Sequence, residues 1–258
     1  MVSDVSVKLK GSKKAVRRTS KSGSRTYTID GVEYPSVTTI LQVVAKPALI
    51  GWSRKVALEK VRHTLLDQLQ SRMETGDTLA GITPGWIDTM LEAARKRPDE
   101  DRDQAADFGL RSHELIDSIL RGQETIVPED LLPVMEGFDG WQAESGLDIT
   151  ATEQVVCSKV HGFAGTFDAV ATRGGKGLYV IDFKTSNGIY DEMSFQVAAY
   201  AQAYKEQTGQ KVLGGYVVRF GKKKPEFEAR EVDLEEGLRG FLGALALWRT
   251  LRKKQIWR

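Results

Sequence analysis

The chain has 258 residues, of which 41% are hydrophobic and 28% charged, as in an ordinary water-soluble globular protein. No apolar run approaches the roughly 20 residues of a membrane span, and the N-terminus lacks the apolar segment of a secretory signal. The single cysteine, Cys157, excludes an internal disulfide, a thiolate zinc site and a four-cysteine iron–sulfur cluster. We therefore expect a cytoplasmic protein without a membrane partner.

The positive charge is concentrated at the N-terminus. Residues 1–25 contain eight Lys and Arg and one acid, Asp4, so they carry +7, and the rest of this chain of net charge +2 carries −5. We expect a disordered, solvated tail, and a basic arm that binds nucleic acid is the alternative. Asp4, the glycines and the bias towards lysine argue against a mitochondrial presequence.

A short hairpin and then a helical region follow the tail. The hairpin turns at Asp30-Gly31 and ends at Pro35, and Ser36 or Thr38 is placed to cap the next helix. The pattern predicts helices over 49–70, 85–97, 103–121 and 130–144. It also predicts a loop over 73–85 and a charged break over 96–103 that contains Pro98.

The second half of the chain is rich in strands. Three β-rich runs, TATEQVVCSKV, FAGTFDAVATR and GLYVIDFKT, are joined by turns at His161-Gly162 and Gly174-Gly175. A helix over 192–207, a hairpin formed by GGYVVRF and FEAREVDL, and a last helix over 234–252 complete the pattern. This order favours one α/β domain with a helical N-terminal half packed against it.

Charged residues interrupt the most apolar of these strands. Asp182 and Lys184 share one face of the run LYVIDFKTS, and Asp168 lies across the Gly174-Gly175 turn in GTFDAV. Two neighbouring carboxylates repel each other unless a proton or a cation lies between them, and oxygen ligands of this kind favour Mg²⁺ or Mn²⁺. An ion pair on a half-exposed strand is the alternative interpretation.

Two helices supply further polar candidates. Gln196 and Tyr200 are four residues apart and share a helical face, and His113 lies on an apolar stripe one turn after Gly109. Packing in the core is the alternative for Tyr200 and for His113. Gln196 is harder to assign to packing, because a buried amide needs hydrogen-bond partners.

The order and spacing of these motifs resemble the RecB-like branch of the PD-(D/E)xK nuclease superfamily. The similarity is greatest to mitochondrial genome maintenance exonuclease-like proteins and to phage and CRISPR-associated exonucleases without an iron–sulfur cluster. It covers about residues 34–220 and rests on YPSVTTIL, Trp52, GLRSHELIDSIL, TEQVV, GTFD, VIDFKTS and QVAAY. The resemblance implies a central mixed β-sheet flanked by helices, with a helical N-terminal region.

The resemblance also implies roles for individual residues. His113, Asp168, Asp182 and the carbonyl of Phe183 resemble metal ligands, and Lys184 resembles the catalytic lysine. Glu153 matches a recurrent acid that either supports the site or binds a second cation. The implied DNA contacts are Gln196, Tyr200, Ser36, Thr38, Thr185 and Ser186.

These expectations define a DNA exonuclease that depends on Mg²⁺ or Mn²⁺. Its expected substrate is DNA that is single-stranded or has free ends, and its expected role is in repair, recombination or replication. A bacterial or phage-infected cell is the expected setting, with recombination or replication proteins as further partners. After the tail, residues 26–258 are expected to form one nuclease domain, with a hairpin and helical cap over 26–103 and a catalytic core over 104–258. The alternatives are a structure-specific endonuclease of the same fold and a non-catalytic DNA-binding protein.

Overall fold

The computed structural model describes residues 3–6, 15–19, 24–44, 46–75 and 82–255. The strands are β1 (Ser3–Ser6), β2 (Ala15–Thr19), β3 (Arg25–Ile29), β4 (Val32–Pro35), β5 (Asp148–Ser158), β6 (Phe163–Arg173), β7 (Lys176–Lys184), β8 (Val212–Phe220) and β9 (Phe227–Glu231). The helices are α1 (Val37–Ile40), α2 (Pro47–Thr75), α3 (Pro84–Leu120), α4 (Leu132–Ser145), α5 (Asp191–Thr208) and α6 (Leu234–Gln255). Within these ranges no helix is long and apolar enough to cross a membrane.

The chain divides into two compact units, one formed by residues 1–44 and 111–258 and the other by residues 45–110. The predicted hairpin over 26–35 lies in the same unit as residues 111–258, whereas α2 lies in the other. The cap predicted over 26–103 remains a prediction.

The first unit contains two β-sheets. One has four antiparallel strands in the order β1-β2-β3-β4, and the other has five strands in the order β5-β6-β7-β8-β9. In the larger sheet only β7 and β8 are parallel. Their parallel pairing requires a crossover connection, which α5 supplies. The predicted mixed sheet flanked by helices is confirmed.

Helices cover both faces of the larger sheet. On β7, Asp182 bonds to α5 and the next residue, Phe183, packs its ring against Phe138 and Trp141 of α4. Adjacent residues of a strand point to opposite faces, so α5 and α4 lie on opposite sides of β7. Helix α6 packs closely on α5, because Gly237 leaves no side chain between the two helices.

The prediction of a disordered N-terminal tail is wrong for residues 3–6 and 15–19, which form β1 and β2. Strand β2 pairs with β3, from Ala15 opposite Ile29 to Thr19 opposite Arg25. Ala15 and Ile29 belong to a buried cluster that includes Cys157 of β5. The basic residues around Ala15 gave no sign of a buried strand. Its burial depends on β5 and β6, which are more than 100 residues away in sequence. Residues 1–2, 7–14 and 20–23 of the predicted tail lie outside the described residues.

The predicted helix break near Pro98 is also wrong, since α3 continues through this residue to Leu120. A proline inside a helix removes one backbone hydrogen bond. Ion pairs span this point, with Arg97 2.9 Å from Asp101 and Arg102 2.9 Å from Asp99. Such exposed pairs each add only about 0.2–0.5 kcal/mol, so they help the helix to continue without fully offsetting the proline.

Candidate active site

Strand β7 brings the acid and the amine of the candidate site together. Asp182 is buried and Lys184 is partly exposed, and the ammonium group of Lys184 forms an ion pair with Oδ2 of Asp182. Strands β6 and β8 flank β7, which makes it an interior strand of the sheet. Pairing is what allows these charges to lie within an apolar strand, because an isolated buried charge costs several kcal/mol or more.

Asp168 lies where strands β6 and β7 separate. The last backbone pair at this end of the two strands is Ala169 opposite Ile181, and the next position along β6 is Asp168. Oδ2 of Asp168 accepts a hydrogen bond from the backbone N–H of Phe183 at 2.6 Å. The carboxylate thereby satisfies a backbone group that strand pairing no longer reaches. The predicted hairpin at Gly174-Gly175 places Asp168 beside the Asp182–Lys184 segment.

His113 reaches the same group from α3. Its Nδ1 lies 2.8 Å from Oδ1 of Asp168, so both oxygens of this carboxylate have partners within the protein. The apolar stripe of α3 continues to Ile116, which is almost fully buried. The histidine is therefore positioned by a helix that packs along one side, while its ring contacts the acid that the sheet presents.

Gln196 and Tyr200 of α5 contact the other carboxylate. The side-chain nitrogen of Gln196 donates to Oδ1 of Asp182 at 3.2 Å and to the hydroxyl of Tyr200 at 3.1 Å. Tyr200 is 2% exposed and stacks on Phe167 of β6. Gly165 explains the first position of the GTFD motif, because a Cβ there would overlap the ring of Tyr200. Packing and hydrogen bonding are therefore both present at Tyr200.

The electrostatic surroundings of Asp168 and His113 favour the charged form of both groups. Burial opposes the positive charge of His113, but the charge and hydrogen bond of Asp168 outweigh it and raise the pKa of the imidazole. Burial also opposes the charge of Asp168, yet His113, Lys184 and the N–H of Phe183 together lower the pKa of this carboxyl. The two shifts have the same cause, and both favour an imidazolium–carboxylate pair.

The surroundings of Asp182 disfavour its charged form, unlike those of Asp168. Burial raises the pKa of Asp182, and the nearby charge of Asp168 adds to this effect while Lys184 opposes it. Burial would lower the pKa of Lys184, but attraction to Asp182 and Asp168 outweighs burial and raises it. Lys184 is therefore held as an ammonium next to two acids, which is the charge arrangement that can bind a phosphate oxygen.

Glu153 lies on β5 beside the same cluster. Its φ of 48° is in the left-handed region, which is uncommon for a residue other than glycine. A small cleft is lined by Glu153, Asp168, Asp117 and His113, among other residues. Burial, followed by the charges of Asp168 and Asp117, raises the pKa of Glu153 to about 7. The group can therefore exchange a proton near neutral pH.

Among the predicted DNA-contacting hydroxyl residues, Ser36, Thr38 and Ser186 have partners within the protein. Ser36 is 2% exposed and caps α1, since its Oγ accepts a hydrogen bond from the N–H of Thr39 at 3.0 Å. The hydroxyl of Thr38 lies 3.0 Å from that of Ser36. Thr185 is buried at the end of β7, and Ser186 donates to the carbonyl of Gly188 at 2.7 Å. DNA contacts by these residues remain predictions.

The donor types present suit a hard divalent cation, with two carboxylates and an imidazole, and the Phe183 carbonyl as a further candidate. In this arrangement the carboxylate oxygens are engaged by His113, Lys184, Gln196 and a backbone N–H. Over the described ranges, no three His, Cys, Asp or Glu side chains converge in a geometry that would hold one metal ion. Metal binding therefore requires exchange of some of these contacts for the cation.

Sequence reasoning missed the residues that join the N-terminal sheet to this site. The hydroxyl of Tyr27 on β3 lies 2.9 Å from that of Thr166, two residues before Asp168. Arg17 lies directly opposite Tyr27 on β2. The alternation in RTYTI indicates a strand with Tyr27 on one face. Its partner is 139 residues away, and no local pattern could identify it.

The profile of the PD-(D/E)XK nuclease superfamily matches residues 60–253, which is well over half of the chain. The chain belongs to the PD-(D/E)XK nuclease superfamily. Members of this superfamily are nucleases and generally use divalent metal ions. No curated protein matches the chain.

Solved structures with detectable similarity to this nuclease are distant. A candidate exonuclease from Eubacterium rectale is 11% identical, with a TM-score of 0.41, over 57% of this chain and 68% of that protein. An alkaline exonuclease from Laribacter hongkongensis is 18% identical, with a TM-score of 0.28, over 57% of this chain and 84% of that protein. The second protein has also been solved in complex with dAMP.

Proposed function

We propose that this chain is a DNA exonuclease dependent on Mg²⁺ or Mn²⁺ that hydrolyses phosphodiester bonds from DNA ends, preferentially single-stranded ones. The main support is the grouping of Lys184, Asp182, Asp168 and His113 at the point where β6 and β7 separate. Repair, recombination or replication of DNA is the proposed setting.

The proposed cation ligands are His113, Asp168, Asp182 and the backbone carbonyl of Phe183. When bound, a divalent cation supplies positive charge next to the phosphate that is cleaved. His113 already contacts Asp168, and Gln196 already contacts Asp182, so each carboxylate is oriented by a neighbour. Such neighbours commonly change metal affinity or activity about 10–100-fold when they are removed.

The protein's own groups supply the remaining chemistry. The ammonium of Lys184 donates hydrogen bonds to a non-bridging phosphate oxygen, where negative charge increases during attack at phosphorus. Glu153, whose pKa is about 7, accepts a proton from the attacking water or stabilises a second cation in the cleft. Gln196 and Tyr200 keep Asp182 in place beneath the nucleic-acid strand.

End-labelled linear DNA and circular single-stranded DNA test this proposal directly. The wild type should degrade only the linear DNA, with Mg²⁺ and not with EDTA. Lys184→Ala should reduce the rate at least about 100-fold, because it removes a positive charge directed at the transition state. The matched control is Lys176→Ala, at the exposed opposite end of the same strand.

Three other results would contradict parts of this proposal. Cutting of the circular DNA would indicate an endonuclease of the same fold. Binding of DNA without cutting of either form would indicate a non-catalytic DNA-binding protein. Equal rates for the wild type and Lys184→Ala would remove the lysine from the mechanism.

A further inference from the structure

The strongly basic N-terminal segment contributes strands to the small sheet, which contacts β6 close to Asp168. Residues 1–25 carry +7, and two arginines of this segment, Arg17 on β2 and Arg25 on β3, lie in the small sheet. Arg17 is directly opposite Tyr27, whose hydroxyl contacts Thr166 of β6. This connection brings the basic sheet to the strand that carries Asp168.

Arg17 has a polar atom that its surroundings do not satisfy. Its Nε is buried and has no hydrogen-bond partner within the described residues. A buried donor without a partner costs about 1–3 kcal/mol, and an acceptor oxygen of a ligand would remove that cost. Burial and the charges of Asp168 and Asp117 raise the pKa of Glu153, and the positive charge of Arg17 acts against this rise.

Arg25 lies at the start of β3, and its backbone bonds to residues at the start of α1. Its backbone N–H donates to Oγ1 of Thr39 at 2.8 Å, and its carbonyl accepts from the N–H of Ser36 at 3.0 Å. These bonds hold the residue at the start of α1, while its side chain is exposed. Burial lowers the pKa of Lys184 while Asp182 and Asp168 raise it, and the positive charge of Arg25 acts against these two acids.

We propose that Arg17 and Arg25 form a phosphate-binding strip on the N-terminal sheet that holds the nucleic-acid backbone next to the catalytic cluster. This inference rests on the proposed nuclease function and adds residues to its substrate-binding surface. A guanidinium donates two parallel hydrogen bonds to one phosphate, which suits a backbone contact without base preference. The strip also compensates for the repulsion between phosphates and the group formed by Asp168, Asp182 and Glu153.

A purely structural role is the alternative, in which Arg17 only neutralises Glu153. The salt dependence of binding separates the two roles. For a single strand, each phosphate that a protein charge neutralises contributes about −0.7 to the slope of log K against log salt. A structural arginine would change the melting temperature but not this slope.

The test measures binding of fluorescein-labelled oligothymidylate in EDTA over a series of KCl concentrations. Arg17→Gln and Arg25→Gln should each make the slope shallower by about 0.7, and the double variant by about 1.4. Arg17→Lys should restore most of the lost slope, because the positive charge returns. The matched control is Arg173→Gln, an exposed arginine five residues beyond Asp168 on β6, which should keep the wild-type slope.

Melting temperature and cleavage of linear DNA are measured on the same variants. Unchanged slopes in Arg17→Gln and Arg25→Gln would overturn the inference, whether or not these variants melt at lower temperature. A wild type that binds with the expected slope losses but does not cut DNA would overturn the exonuclease function and still support the strip. A wild type that cuts DNA, with variants that keep the wild-type slope, would support the exonuclease function and overturn the strip.

Discussion

At the scale of single residues, the candidate site depends on contacts with almost no free space. Gly165 permits the ring of Tyr200 to lie against β6, and Tyr200 in turn bonds to Gln196, which bonds to Asp182. A backbone position without a side chain is therefore linked through two side chains to a proposed metal ligand. The chain of contacts predicts that a single methyl group can disturb the site.

Gly165→Ala should destabilise the protein by about 1–3 kcal/mol, because the added methyl overlaps the Tyr200 ring in a packed core. It should also lower the nuclease rate by displacing Gln196 from Asp182. Urea denaturation and the linear-DNA assay measure the two effects. Gly243→Ala on α6 is the control, since a Cβ there meets nothing within 4 Å. Equal stability of the two variants would show that Tyr200 adjusts without cost.

Glu153 predicts a pH dependence of folding. Its pKa rises from 4.5 to about 7 on folding, so the folded state holds this proton more tightly than the unfolded state. Its contribution to stability is therefore fully present below pH 4.5 and is lost as the pH rises through about 7. His113, whose pKa is also raised, acts in the same direction.

Glu153→Gln should therefore gain stability relative to the wild type as the pH rises from about 5 to about 8. Melting temperatures in EDTA across this range measure the difference. Glu124→Gln, in the exposed segment before α4, is the control. A pH-independent difference between Glu153→Gln and the wild type would mean that the carboxyl is ionised throughout.

At the scale of elements, the four-residue helix α1 connects the N-terminal sheet to the larger one. Ser36 caps α1 and forms a bridge to Ala164 of β6, while Thr39 donates its hydroxyl hydrogen to the carbonyl of Arg25. Such a short helix has little stability of its own, so its caps and its packing hold it in place. The PSVT motif thus has a structural role, in addition to the proposed contact with DNA.

Ser36→Ala should cost about 0.5–2 kcal/mol, because it removes the N-cap of α1. Thr38→Ala should change stability less, since Thr38 accepts no backbone N–H of the helix among the described contacts. Chemical denaturation gives the stabilities, and DNA affinity is measured beside them. Loss of affinity in Thr38→Ala at unchanged stability would support the predicted phosphate contact, whereas unchanged affinity in both variants would remove that contact.

At the scale of the whole molecule, the N-terminal sheet is part of the first compact unit. Tyr27 and Ile29 pack with Val155, Cys157 and Ala164, and all five are largely buried. Strand β2 adds Ala15 to this cluster and pairs along β3. The basic N-terminal segment therefore contributes to the core as well as to the charge of the surface.

Removal of residues 1–23 should lower the melting temperature and expose Cys157, because it deletes β1 and β2 from the sheet. A thiol reagent should then modify the truncated protein faster than the full chain under native conditions. Total reaction in denaturant provides the reference for both proteins. Equal melting temperatures and equal thiol reactivity would show that the segment is dispensable, as a disordered tail would be.

The sequence by itself determined the class of fold and the composition of the candidate site. Alternating apolar residues, glycine turns and the D-x-K run identify the strands around Asp168, Asp182 and Lys184, because these signals arise between residues close in sequence. The tertiary structure alone decided that Tyr27 meets Thr166 and that β2 adds Ala15 to the cluster around Cys157. Those outcomes depend on contacts between distant segments, which outweigh local propensity and leave no periodic pattern in the chain.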